Sequence, residues 1–87
     1  MQVPPEAKQK YIERRKQDIV ACKDALTKKD FLFFERIGHQ IKGNASTFGF
    51  DQLTSIAIEI ENGGKAKDLT VLKELVLRLE EAVNLLQ

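Results

Sequence analysis

An all-α fold, an antiparallel up-down bundle of four helices, is what this chain predicts, and three observations carry the expectation. Outside two short glycine-bearing regions, residues 38–49 and 63–64, the chain is rich in Leu, Ile, Glu, Lys and Ala, which favour helix. Apolar residues recur at three- and four-residue spacing in four separate segments, and no alternating strand pattern competes. The connectors between the segments are short, which sets consecutive helices side by side and antiparallel. With 87 residues, 43 % of them apolar and 31 % charged, the chain is expected to form one domain over residues 1–87. That length is near the lower end of what folds on a single core without staples.

The first helix is expected from near Pro5, a residue suited to a first turn, to about Thr27. Ile12, Ile19, Cys22 and Leu26 fall on one stripe, with the aliphatic stem of Arg15 among them. Cys22 then reads as a small core residue, and Arg14-Arg15-Lys16 as a solvated face. After the connector Lys28-Lys29, Asp30 is a good N-cap for a second helix from Phe31 to about Thr47. Its inward stripe is Phe34, Ile37, Gly38, Ile41, Ala45 and Phe48. A loop at Phe48-Gly49-Phe50 leads to Asp51, expected to cap a third helix through about Asn62 with Leu53, Ile56, Ala57 and Ile60 inward. Gly63-Gly64 is expected to end that helix. Asp68 or Thr70 caps the last helix, whose stripe is Leu72, Leu75, Val76, Leu79, Ala82, Val83 and Leu86.

The formal net charge of +1 argues against nucleic acid as a main partner, including through Lys8, Lys10 and Arg14 to Lys16. Charge is uneven along the chain: residues 1–30 hold eight Lys/Arg against five Asp/Glu, and residues 68–87 hold two against four. Pairing between the first and last helices would use that difference, and solvated faces explain it equally well. A single cysteine, Cys22, makes no internal disulfide and fits a reducing compartment, so the cytoplasm is the expected location. No apolar run approaches the roughly 18–20 residues of a membrane span. One His and one Cys are too few for a metal site, no cofactor is expected, and the chain is expected to be a monomer.

His39 stands apart from this core. Counting about 100° per residue, it lies about 150° from the centre of the second helix's apolar stripe, and so faces solvent. Taken alone, such a histidine reads as an inert surface group. Around it lie Leu32, Glu35, Arg36, Lys42, Gly43 and Ser46. Gly43 is the unusual neighbour, because glycine inside a helix costs about 1 kcal/mol relative to alanine. Access is a physical reason for it: the missing Cβ leaves room for the imidazole and anything attached to it. Gly38, on the core side, serves helix–helix closeness instead. Lys42, three residues after His39, can reach the ring. A cation there favours the neutral, nucleophilic imidazole and attracts a phosphoryl group once attached.

The run H-Q-I-K-G-N-A-S-T-F-G from His39 to Gly49 resembles the signature of histidine-containing phosphotransfer (HPt) domains. That family shows His, an apolar residue, Lys, Gly, a small residue, Ala and a later Gly at the positions of His39, Ile41, Lys42, Gly43, Asn44, Ala45 and Gly49. Asn44 departs mildly, standing where Ser or another small residue is commoner. The likeness runs on through T-F-G-F to Ile60-Glu61-Asn62-Gly63, and the four-helix plan suits the whole chain.

The resemblance implies that His39 is phosphorylated, exchanging the group with a histidine kinase, a response-regulator receiver domain, or both. It also implies that Lys42 helps hold the phosphate and that Gly43 keeps the site open. The T-F-G-F segment and Glu61 look especially like the HPt domains of chemotaxis-type kinases, in which a Glu at this position hydrogen-bonds the ring. Glu61 lies about 90° from the core centre of its helix, which leaves a ring contact and an ordinary surface carboxylate both open. Such a carrier is a transfer intermediate and not an enzyme, whether free-standing or a domain of a larger kinase. Leu32 and Ile58, far from their helices' core stripes, are expected to rim the partner-docking surface with Glu35, Arg36 and Ser46. A helical interaction module that binds a partner without chemistry is the alternative, and the His39, Lys42 and Gly43 trio tilts against it.

Overall fold

A computed structural model describes residues 3–86 as α1 (Pro5–Lys28), α2 (Phe31–Asn44), a 3₁₀ turn (Ser46–Phe48), α3 (Asp51–Lys65) and α4 (Leu69–Asn84). Residues 1, 2 and 87, the outer ends of the expected domain, lie outside the described residues. Among those described there is no strand, and no helix is long and apolar enough to cross a membrane.

Pro5 occupies the first turn of α1, where its missing N–H costs nothing. At about 1.5 Å per residue, α1 runs almost the whole length of the bundle. It ends on Lys29 in the left-handed region (φ 56°), with Asp30 N–H donating to Ala25 O at 2.9 Å and Lys29 N–H to Leu26 O at 3.3 Å. This is a Schellman closure made without glycine. Asp30 then caps α2 as expected, its carboxylate accepting from Phe33 N–H at 3.2 Å. Asp68, and not Thr70, caps α4, accepting from Val71 N–H at 3.1 Å.

The structure corrects three boundaries. α2 is α-helical only to Asn44; the chain then tightens into the 3₁₀ turn and leaves it through Gly49 at φ 83°. Phe50 N–H returns to Ala45 O at 2.9 Å, and Phe48 stacks on Tyr11 with ring centroids 4.5 Å apart, so packing against α1 turns the chain inward early. Asp51 is the first residue of α3 and does not cap it; Phe50 holds the N-cap position without a side-chain bond. Gly63 and Gly64 do not end α3 but lie buried within it.

Both glycines serve close packing. A Cβ at Gly64 would stand 2.8 Å from Glu35 N and 2.9 Å from Phe31 O, and one at Gly63 would stand 3.0 Å from Leu72 Cδ2. The left-handed residue that closes α3 is Lys67 (φ 53°), with Asp68 N–H donating to Gly63 O and Lys67 N–H to Gly64 O.

Each helix packs on the next and α4 returns to α1, closing the ring of an up-down bundle, with α2 and α3 the most extensive pair. The expected stripes meet at its centre, where Phe34, Ile41, Leu53, Ile60, Leu72, Leu75 and Leu79 are fully buried. Tyr11, Ala25 and Phe50 join this core, while Leu26, Phe48, Ala82 and Leu86 are only partly covered. Cys22 is fully buried, and burial pushes its thiol up to about 12, so it packs as a small apolar group. Between α1 and α4, Lys23 pairs with Glu80 at 2.8 Å, one instance of the charge complementarity between the chain's ends.

Gly38 marks the tightest approach. A Cβ there would meet Glu61 N at 2.6 Å and Ala57 O at 2.7 Å, so the α2 and α3 backbones touch at this point. At Gly43 a Cβ would meet nothing within 4 Å. Gly38→Ala is therefore expected to destabilise the fold by about 1–3 kcal/mol through overpacking. Gly43→Ala is expected to stabilise it by about 0.5–1 kcal/mol through helix propensity. Urea unfolding of the two variants checks this, and shifts of the same sign would refute the assignment.

Candidate functional site

His39 follows Gly38 on α2 and turns away from the core, leaving 71 % of its side chain exposed. The ring still has a carboxylate beside it: Nδ1 lies 3.3 Å from Glu61 Oε2 on α3. Glu61 reaches it because Gly38 lets the α3 backbone close on α2 at that level. The carboxylate is mostly buried, with 11 % of its side chain exposed, and Lys42 Nζ donates to its Oε1 at 2.7 Å. The Lys65 ammonium, one turn after Glu61, stands 3.8 Å from Oε2.

These contacts decide what the ring can do. A carboxylate beside Nδ1 favours placing the proton of the neutral ring on that nitrogen, which leaves the Nε2 lone pair free. Glu61 is well suited to stay ionised. The hydrogen bond from Lys42 holds its carboxyl below the usual range against the opposing effect of burial, helped by the charges of Lys42 and Lys65 and, when the ring is protonated, of His39. The ammonium of Lys42 goes to this carboxylate, so it bears on the ring through Glu61. Gly43 leaves the adjoining surface open.

The outer positions are less uniform. Leu32 and Ile58 are exposed, at 52 % and 41 %. Arg36 is exposed and Glu35 half-buried on α2. Ser46 is exposed but sits in the 3₁₀ turn, so the helical spacing that grouped it with His39 does not reach it.

Two features are absent from the sequence reading. Lys65 belongs to the Glu61 cluster, and its only signal was the i, i+4 spacing, hidden by the expectation that α3 ends at Gly63-Gly64. Asn44 ties α2 to α1 instead of acting as a small spacer: its Oδ1 accepts from the Tyr11 hydroxyl at 2.6 Å and from Arg15 Nη1 at 3.4 Å. Arg15 also lies over the Tyr11 ring, 4.6 Å from its centroid. Beside this tie runs an open groove of about 620 Å³ between α1 and α2, walled by Lys10, Arg14, Tyr11, Phe48 and Gln40, the residue after His39. Among the described residues no three His, Cys, Asp or Glu side chains come together as a metal site.

Compared with known proteins, the chain matches the family model of the Hpt domain over residues 6–87. No curated protein and no solved structure matches it.

The lowered pKa of Glu61 has a signed consequence. Its folded value lies below its ordinary 4.5, so its ionised contacts stabilise the fold fully above that pH and are lost as pH falls through the folded value. Urea unfolding below pH 5 is expected to show a smaller loss of stability on acidification in Glu61→Gln than in the parent chain. Parallel pH profiles would contradict it.

Proposed function

The chain belongs to the Hpt domain family, whose members are phosphoryl carriers in phosphorelays, and from that premise we propose that His39 carries the phosphoryl group here. The supporting observation is an imidazole that is largely exposed and whose Nδ1 lies beside a mostly buried carboxylate. Within an all-helical scaffold of this family, that is the arrangement a carrier needs.

In the proposed step, the Nε2 lone pair attacks the phosphorus of a receiver's aspartyl phosphate. The N–P bond forms as the P–O bond breaks, and the aspartate leaves as a carboxylate. The proton on Nδ1 stays in place, and Glu61 offsets the positive charge that develops on the ring. Return transfer is the same sequence reversed. Such transfer depends on positioning and electrostatics, so the chain contributes a nucleophile, a fixed tautomer and nearby ammonium groups, while the partner brings the catalytic groups. Lys42 holds the phosphoryl oxygens, and Gly43 keeps their approach clear.

The partners are a histidine kinase, a response-regulator receiver domain, or both, met in the cytoplasm by a monomer. The contact between Glu61 and the ring supports kinship with the HPt domains of chemotaxis-type kinases. Leu32 and Ile58 supply apolar docking surface with Glu35 and Arg36, and Ser46 lies at its edge. The groove beside Gln40, with Lys10 and Arg14 on its walls, has the charge to favour a partner that is anionic where it meets the site.

Incubation with phosphoramidate, a small phosphoryl donor, is expected to add one acid-labile, base-stable phosphoryl group to the parent chain and none to His39→Gln. A parent chain that stays unlabelled would favour the reading as an interaction module without chemistry. Leu32→Asp and Ile58→Asp are each expected to slow exchange with a receiver domain by about fivefold, as desolvated interface positions do. Labelling by phosphoramidate should stay at the parental rate. Unchanged exchange with the receiver would remove these residues from the docking surface.

A further inference from the structure

We propose that Lys65 is a positioning residue of the phosphoryl site, a standby counter-ion for Glu61 that releases Lys42 to follow the phosphoryl group. The inference rests on the reading of His39 as the carrier and deepens it.

The argument starts from a conflict over one ammonium. Glu61 is mostly buried, and a buried carboxylate that loses its partner is costly. With the ring unmodified, its tightest partner is Lys42, at 2.7 Å from Oε1. A phosphoryl group on Nε2 carries about two negative charges, one of them offset by the positive charge of a ring that keeps its Nδ1 proton. Lys42, three residues on along the same helix, is then wanted both by the phosphoryl oxygens and by Glu61.

Lys65 is placed to resolve the conflict. Its Nζ is 3.8 Å from Oε2, near enough to be held by charge and too far for a good hydrogen bond. Its side chain is 59 % exposed and therefore free to close in. Oε2 has two lone pairs, so it can take Lys65 while keeping Nδ1 of the ring. Lys65 forms no bond to phosphorus and abstracts no proton. It only replaces the counter-charge that Lys42 takes away.

Net charge points the same way. Glu61, Lys42 and Lys65 together leave one positive charge beside a neutral ring. A phosphoryl dianion on a ring that has become positive brings this to about zero net charge, and to about one net negative charge when Lys65 is absent. The surplus would fall where Glu61 and the phosphoryl group repel each other.

The experiment measures the rate at which phosphoramidate phosphorylates the full chain and its variants, with circular dichroism to verify the helical fold of each. Lys65→Gln is expected to slow labelling by about fivefold, the scale of a part-buried ion pair, and Lys65→Arg to restore most of the rate. In a Lys42→Gln background, Lys65→Gln is expected to have little further effect, because no ammonium is left to release. Parental rates in Lys65→Gln, or effects of the two substitutions that multiply in full, would overturn the standby role while leaving His39 as the carrier. A parent chain that takes no phosphoryl group would overturn both readings.

Discussion

The backbones of α2 and α3 meet at Gly38, where a Cβ would come within 2.6 Å of Glu61 N, and the rest of the site follows from that approach. Any side chain at this position would separate the two helices. Glu61 would then be carried away from a ring that begins one residue later on α2. A second close approach at Gly64, against Phe31 O and Glu35 N, holds the other end of the same pair. Two missing methyl groups on facing helices thus fix both the distance between them and their register.

That register lets one residue be nearly buried while the group it serves stays in solvent. Glu61 is covered because α2 lies over it, and it is compensated because Lys42 hydrogen-bonds it and Lys65 stands nearby. His39 is exposed because it lies opposite the stripe of Phe34, Ile37 and Ile41 on its own helix. A reactive ring needs both conditions. Exposure alone leaves an imidazole free to take either tautomer, and burial alone leaves it without a partner.

α1 contributes at a greater distance. Tyr11, stacked on Phe48 and bonded to Asn44, pins the end of α2 where the helix gives way to the 3₁₀ turn. Arg15 is drawn under the same tie, where it sits close to Asp18. Burial of that aspartate raises its carboxyl above the usual range, against the pull of Arg15. The groove beside the tie keeps Lys10 and Arg14 on the surface next to Gln40. A face that would otherwise be only a solvated helix thus carries positive charge beside Gln40.

Periodicity alone determined that Phe34, Ile37, Gly38 and Ile41 turn inward and that His39 turns outward, because a helix fixes those angles locally. The capping of α2 by Asp30 and the all-helical plan were legible for the same reason. What periodicity does not carry is distance between helices. Gly63-Gly64 has the local signature of a helix end, yet helix packing made it a close contact and left Lys67 to close α3. Once α3 ran on, Lys65 fell one turn beyond Glu61, a neighbour that no shorter helix would reveal. Whether Glu61 touched the ring, and that Asn44 faced Tyr11, were likewise settled only by how closely α1 and α3 pack on α2. The physical reason is that the direction of a side chain is set within one turn, whereas its partner is set by the small residues that decide how near another backbone can come.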